Sequence, residues 1–329
     1  MNFVTRASAT AVALALGIGT AGAQDVIRVS HQWSTSDVRH KVVEIVAEEV
    51  AAADVGIELQ IFPSKSLFKP REQYKPLARG QLEASVFPLS YAGGLRSAYN
   101  LTLMPGLVKN HDHAARLNDS AFMAEIEKIL AEDDIMVLVH GYLAGGFAGK
   151  EGCITKPADA EGKQMRAAGK AFEQMLAGAG ASIASMASSE IYNAMQTGVL
   201  DGANTSSSSF MSYRIYEQVS CFTPAGDYAL WFMYQPMLMN KSLFDGLTAE
   251  QQAAILAGAE KAEAYYLAEA KTQDAKAAEV FAEAGVEIAE MSEEDFAAWR
   301  AIAQETSYQA FLEGNAEGQR LLDLALSVE

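Results

Sequence analysis

The chain has 329 residues, with 25 Lys and Arg against 42 Asp and Glu, and a formal net charge of −17. An acidic surface of this kind argues against nucleic acid and anionic lipid as partners, since both are held by cationic faces. Half the residues are hydrophobic and no low-complexity tract or internal repeat occurs, which excludes a disordered chain and is enough for two globular domains.

Residues 1–23 read as an export signal. Arg6 supplies a positive start, 9–18 an apolar core, and Ala21-Gly22-Ala23 the small-residue cleavage pattern, so cleavage after Ala23 is expected. The apolar run is too short to span a membrane. Strand and helix patterns then alternate. A strand is expected over 26–31 and a helix over 39–53, whose apolar stripe includes Val42, Val43, Val46 and Val50. Residues 57–62 alternate as a second strand, and 71–79 form a helix closed by Gly80. A third strand follows at 84–88, then a helix at 113–132 and an apolar strand at 135–140. Such βα units imply a mainly parallel sheet covered by helices.

The glycine-rich stretch 141–149 is a plausible first crossing between domains. It lacks the G-K-[ST] ending of a phosphate loop, because Gly149-Lys150 is followed by Glu151. Beyond it, the pattern gives a strand ending near Arg166, a helix over 170–178 and a strand over 182–186. A helix over 189–197 follows, with Ser188 or Ser189 as its cap and Gly198 as its left-handed stop, then a strand over 199–203. Asp201-Gly202 is expected to turn the chain at the carboxyl end of that last strand, where open α/β sheets place ligands. One Arg beside that edge suggests an anion site. Residues 228–240 read as one long apolar and aromatic strand. Thr248 caps a very long helix over 249–284, stopped by Gly285 and approaching ~50 Å at ~1.5 Å per residue. A last helix starts after Ser292 and runs to about 313.

The order Gly162-x-x-x-Arg166, then Ser189-Glu190-x-Tyr192-x-Ala194-x-Gln196-x-Gly198-Val199-x-Asp201-Gly202, resembles the substrate-binding proteins of tripartite ATP-independent periplasmic (TRAP) transporters. The similarity extends more weakly from Ile27 to about Leu312. It implies a two-domain α/β Venus-flytrap fold with the long helix as a spine across both domains. Domain I would comprise 24–143 plus 236–276, and domain II 144–235 plus 277–329, with the ligand cleft between them. It further implies a periplasmic protein that captures a small organic acid by closure and hands it to transporter membrane subunits. A monomer is expected.

In the family, the Arg matching Arg166 pairs with a substrate carboxylate. By the same resemblance the ligand-binding set is Arg166, Asn204, Thr205, Ser206, Ser188, Trp33, Leu89, Tyr91 and Phe232. Departures from the acidic-sugar binders shape the expected ligand. Gly145-Gly146-Phe147 stands where a second Arg often lies, and Asp201-Gly202-Ala203-Asn204-Thr205-Ser206 lacks their Glu and Pro. These point to a monocarboxylate with an apolar or aromatic body, while a sugar acid, oxo acid or dicarboxylate stays open. Trp33 and Trp231 fit the core as well as the pocket. Cys153 and Cys221, an even pair in an oxidising compartment, invite a disulfide; two buried free thiols are the alternative. In the family the corresponding segments run side by side near the hinge.

No catalytic constellation emerges. G-x-S-x-G, H-E-x-x-H and G-x-G-x-x-G are all missing, and the hydroxyl run 205–209 has no His nearby in sequence. The five His and two Cys show no chelating spacing. A binding protein without catalytic residues, metal or cofactor is therefore expected; a periplasmic enzyme on a similar fold is the alternative.

Overall fold

The computed structural model describes residues 25–329, so the expected export signal and the cleavage after Ala23 lie outside the described residues. Among the described residues, twelve strands form two sheets. The first has the order β2-β1-β3-β11-β4, built from β1 (Asp25–Ser30), β2 (Ile57–Phe62), β3 (Ala84–Val86), β4 (Ile135–Val139) and β11 (Met237–Asn240). β1 lies parallel to β2 and β3, whereas β11 runs antiparallel to β3 and β4. The second has the order β12-β9-β5-β8-β6-β7, with β10 also paired to β5. Its members are β5 (Tyr142–Gly149), β6 (Gln164–Ala167), β7 (Ser182–Ser185), β8 (Gly202–Ser206), β9 (Cys221–Thr223), β10 (Trp231–Tyr234) and β12 (Glu287–Ile288).

The chain leaves the first sheet at His140-Gly141 and returns at Gln235-Pro236. These two crossings touch, because the Gln235 N–H donates to the Gly141 carbonyl at 2.7 Å. A side chain does not fit at Gly141: a Cβ there would stand 1.9 Å from the Tyr266 ring. Tyr266 belongs to the helix Ala249–Glu283, which is the third connection. Its first half, through Ile255, Ala259, Ala262 and Tyr266, shares a core with Val42, Val43, Val46 and β1. Its last turns, at Ala277 and Phe281, pack with Ile191, Phe210 and Phe222 beside the second sheet. A single helix, capped by Thr248 through the Gln251 N–H, is thus buried against both sheets and serves as the spine.

Several expected elements differ. The strand expected over 228–240 is split into β10 and β11, because Pro236 has no N–H for a ladder and the chain changes sheets there. The helix expected over 113–132 is two helices, His111–Asn118 and Ala121–Glu132, the second capped by Ser120. β8 begins three residues later than the expected 199–203 strand, since Gly198 at φ 76° holds the chain in a turn and Val199 is left exposed. Asp201 therefore stands at the amino end of β8, where its carboxylate accepts the Gln164 N–H at 2.8 Å. The helix Ile191–Gln196 is not capped by a serine. Glu190 reaches back to the Ala187 N–H at 2.8 Å, and the Ser189 hydroxyl is buried without a partner.

Cys153 and Cys221 form a disulfide across 68 residues of sequence, tying the loop after β5 to β9. Reduction, or a Cys153→Ala/Cys221→Ala double variant, is expected to cost about 2–4 kcal/mol, the range for closing a long loop in the unfolded chain. Urea denaturation with and without reductant measures this; coincident midpoints would refute it.

Candidate functional site

Arg166 sits in β6, level with Ala203 of β8 and Ala184 of β7, at the second sheet's face toward the first. Its guanidinium is buried, with 1% exposure. Nε donates to the Met186 carbonyl at 3.1 Å, Nη1 to the Asn204 carbonyl at 2.6 Å and Nη2 to the Tyr91 hydroxyl at 3.1 Å. A guanidinium carries five N–H groups, so one remains on each terminal nitrogen. No carboxylate of the described residues pairs with it. Burial lowers its pKa, Tyr91 opposes that effect and nearby Arg71 adds to it.

The half-buried Tyr91 comes from the segment that follows β3 of the first sheet. Its hydroxyl accepts from Arg166 and from the Ser188 N–H at 3.2 Å. Burial raises the phenol's pKa, but Arg166, Arg71, Gln32 and the Ser188 N–H act against it and leave it below the ordinary value. The Arg71 guanidinium lies 4.4 Å over the Tyr91 ring. It also reaches the Ala168 and Met186 carbonyls at 3.4 Å, which adds to the cross-cleft seam.

A second arginine faces the same cavity. Arg39, at the start of helix Val38–Ala53, is also 1% exposed. Unlike Arg166 it is saturated. Nε and Nη2 bind Asp37 at 2.6 Å each, Nη1 binds Gln235 at 2.7 Å and Ser206 at 3.2 Å, and Nη2 also binds Ser209 at 2.9 Å. Asp37 is fully buried and accepts from Ser212 as well, at 2.7 Å. Burial raises its pKa, but Arg39 more than offsets this and holds the carboxyl below its usual range. The Arg39–Asp37 pair is therefore neutral, and the buried cavity keeps one net positive charge, at Arg166.

The cavity is lined by Arg39, Pro88, Tyr91, Arg166, Ser188, Thr205, Ser206, Ser209, Trp231, Met233 and Gln235. The space in it that admits the centre of a water-sized sphere is about 10 Å³. Its walls stand close together. A larger groove, about 370 Å³, runs along the spine helix past Asp37, Tyr265, Glu269, Gln273 and Lys276. There Glu269 already binds Thr272, Gln273 and Lys276, so chemistry rather than size singles out the smaller space.

Of the residues expected at the site, Arg166, Tyr91, Ser188, Thr205 and Ser206 come together in this cavity. Asn204 adjoins it through its carbonyl on Arg166, with both side-chain amide atoms buried and unpartnered. Trp33, Leu89 and Phe232 lie in the apolar core instead. Trp33 is sandwiched under the Arg39 guanidinium, at 3.9 Å, and Leu89 packs with Phe87 and Tyr99. Phe232 packs edge-on to His111. The reason is strand parity: Trp231, Met233 and Gln235 face the cavity, so Phe232 and Tyr234 face away. Asp37-x-Arg39 escaped sequence reasoning because its place at a helix start reads as an ordinary cap.

Behind Trp33, His31 is buried. Its Nδ1 accepts the Trp33 N–H at 3.3 Å, and its Nε2 meets His40 Nδ1 at 3.0 Å. Burial first, then His40, lower its pKa to about 3, with Arg39 assisting and Asp37 opposing. The unfolded chain therefore binds a proton below about pH 6.5 that the native chain refuses, so stability falls as pH drops through that window. Going from pH 7 to pH 5 is expected to cost about 2 kcal/mol through His31 alone. Denaturation at both pH values checks this; an equal loss in His31→Gln would assign it to other groups.

Residues 29–314 match the family described as bacterial extracellular solute-binding protein, family 7. A solute-binding protein of Albidiferax ferrireducens is 33% identical over 305 residues, covering 91% of this chain and 90% of that one. The C4-dicarboxylate-binding periplasmic protein DctP of Rhodobacter capsulatus is 25% identical over 300 residues, covering 89% of each. Among solved structures, a TRAP periplasmic solute-binding protein of Rhodoferax ferrireducens with bound malonate superposes with a TM-score of 0.88. It is 33% identical, covering 92% of this chain and 98% of that one. A TRAP protein of Roseobacter denitrificans with bound β-D-glucuronate gives 0.85 at 26% identity, covering 93% and 100%.

Proposed function

The chain belongs to family 7 of the bacterial extracellular solute-binding proteins, and from that membership we propose that it captures a small organic acid by closing two domains around it and delivers it to the membrane subunits of a TRAP transporter. The observation that carries this reading is Arg166: a buried guanidinium with two N–H groups to spare and no carboxylate partner among the described residues. A buried charge without a partner is costly, and a ligand carboxylate supplies the missing one in bidentate form. Tyr91, Ser188, Thr205, Ser206 and Asn204 complete the binding set. Domain I would comprise 24–143 plus 236–276, and domain II 144–235 plus 277–329. Export to the periplasm, cleavage after Ala23, a monomeric state and a purely binding role without catalysis belong to the same proposal.

The one net positive charge favours a single carboxylate. The apolar or aromatic body expected from the sequence leaned on Trp33, Leu89, Tyr91 and Phe232, of which only Tyr91 lines the cavity and the other three pack in the core. The cavity's own wall is hydroxyl and amide, with Trp231 and Met233 as its apolar part. A small, polar monocarboxylate matches the chemistry of that wall. A dicarboxylate is the second reading, favoured by the malonate bound to the Rhodoferax relative. A thermal-shift panel separates them: small hydroxy and oxo monocarboxylates are expected to stabilise the protein more than malonate, succinate, benzoate or glucuronate. Stabilisation by dicarboxylates alone would reverse the assignment, and mass spectrometry of acid released from purified protein would identify the native ligand.

A further inference from the structure

Two buried hydrogen-bond donors face the cavity beside Arg166 and have no acceptor among the described residues: Trp231 Nε1 and Gln235 Nε2. The Gln235 amide has only one possible orientation. Arg39 Nη1 stands 2.7 Å from it, and a guanidinium only donates, so the atom facing Arg39 is Oε1 and Nε2 is the free end. Arg39 is locked in turn by Asp37, Ser206 and Ser209, so the amide cannot flip without breaking that network. The Gln235 backbone is fixed as well, at the crossing between the sheets, by its bond to Gly141. Buried donors are rarely left unmatched, and an indole N–H can only donate.

We propose that Gln235 and Trp231 read a second oxygen on the ligand, outside its carboxylate, so that the preferred ligands are oxo or hydroxy acids. The inference rests on the reading that Arg166 anchors the carboxylate. Because that carboxylate uses the cavity's single net positive charge, the second oxygen is uncharged: a carbonyl or a hydroxyl. Arg39 is a positioning residue, holding Gln235 with its donor toward the ligand and making no ligand contact of its own.

The experiment compares matched acids on the purified mature protein by calorimetry: pyruvate and lactate against propanoate, 3-hydroxybutanoate against butanoate, and 3-oxocyclopentanecarboxylate against cyclopentanecarboxylate. The wild type is expected to bind the oxygen-bearing member of at least one pair tenfold or more tightly. Gln235→Leu and Trp231→Phe should each cut that ratio to threefold or less, by weakening binding of the oxygen-bearing acid more than that of the plain acid. Trp231→Phe keeps the ring and carries the test should Gln235→Leu fold poorly. An unchanged ratio in both variants overturns the proposal, as does equal binding of plain and oxygen-bearing acids by the wild type. Failure of every acid to bind would instead remove the Arg166 anchor, and the proposal with it.

Discussion

Replacing Arg166 with alanine is expected to weaken binding of the native acid by more than about 3 kcal/mol, and Arg166→Lys by about 1.5–3 kcal/mol. The argument is geometric. Arg166 is held by three bonds, to Met186, Asn204 and Tyr91, that leave one N–H on each terminal nitrogen. Those two donors match the two oxygens of a carboxylate, whereas an ammonium offers a point charge with no fork. Lysine would keep the charge and lose the geometry. Alanine would strand the ligand anion in a buried site, which explains its larger effect. Calorimetry on wild type and both variants, each with its unfolding midpoint checked, is the measurement. Binding by Arg166→Lys as tight as wild type would show that the motif has only a structural role.

The bonds around Tyr91 bear on the proposed closure. Tyr91 approaches from the first-sheet side, and its hydroxyl accepts from Arg166 and the Ser188 N–H on the other side. Arg71 packs over the same ring and reaches two carbonyls across the gap. Under the proposed closure, a ligand that draws Arg166 and Tyr91 into place would favour the shut state through its differential affinity.

Much of this was legible in the sequence, for physical reasons that also explain the failures. Arg166 stood out because the glycines, acids and polar residues around it occur in an order that few other requirements would produce. The spine helix was readable from Thr248 to Gly285, since its caps are local. The position of β8 was not: Val199 and Leu200 look like strand residues, yet Gly198 keeps the chain turning past them. Phe232 and Trp231 were ambiguous because a one-residue change of register exchanges core and cavity, and only the pairing of β10 with β5 fixes which face is which. Arg39 was hidden because its partners, Ser206, Ser209 and Gln235, lie more than 160 residues away and nothing local marks them.

That hidden network supports the largest stability prediction. Asp37→Ala is expected to destabilise the ligand-free protein by about 3–5 kcal/mol, because it leaves the Arg39 guanidinium buried with no counter-charge. Asp37 and Arg39 are 0% and 1% exposed as side chains, so water cannot replace the lost partner. Removing both charges should be far milder. In Asp37→Ala/Arg39→Met the buried charge is gone, and what is lost is the helix cap from Asp37 to the Arg39 N–H, the Arg39 stacking on Trp33 and the bonds to Gln235, Ser206, Ser209 and Ser212. The pH dependence follows from the depressed Asp37 pKa. Its contribution is complete above about pH 4, the ordinary aspartate value, and is lost only as pH falls through the lower native pKa. The acid sensitivity ascribed to His31 begins higher, near pH 6.5, so the two groups separate along the pH axis. Urea denaturation of the wild type, both single variants and the double variant at pH 7 completes a thermodynamic cycle. A loss below about 1 kcal/mol in Asp37→Ala, or a double variant less stable than the sum of the singles, would mean that the pair does not compensate as its geometry requires.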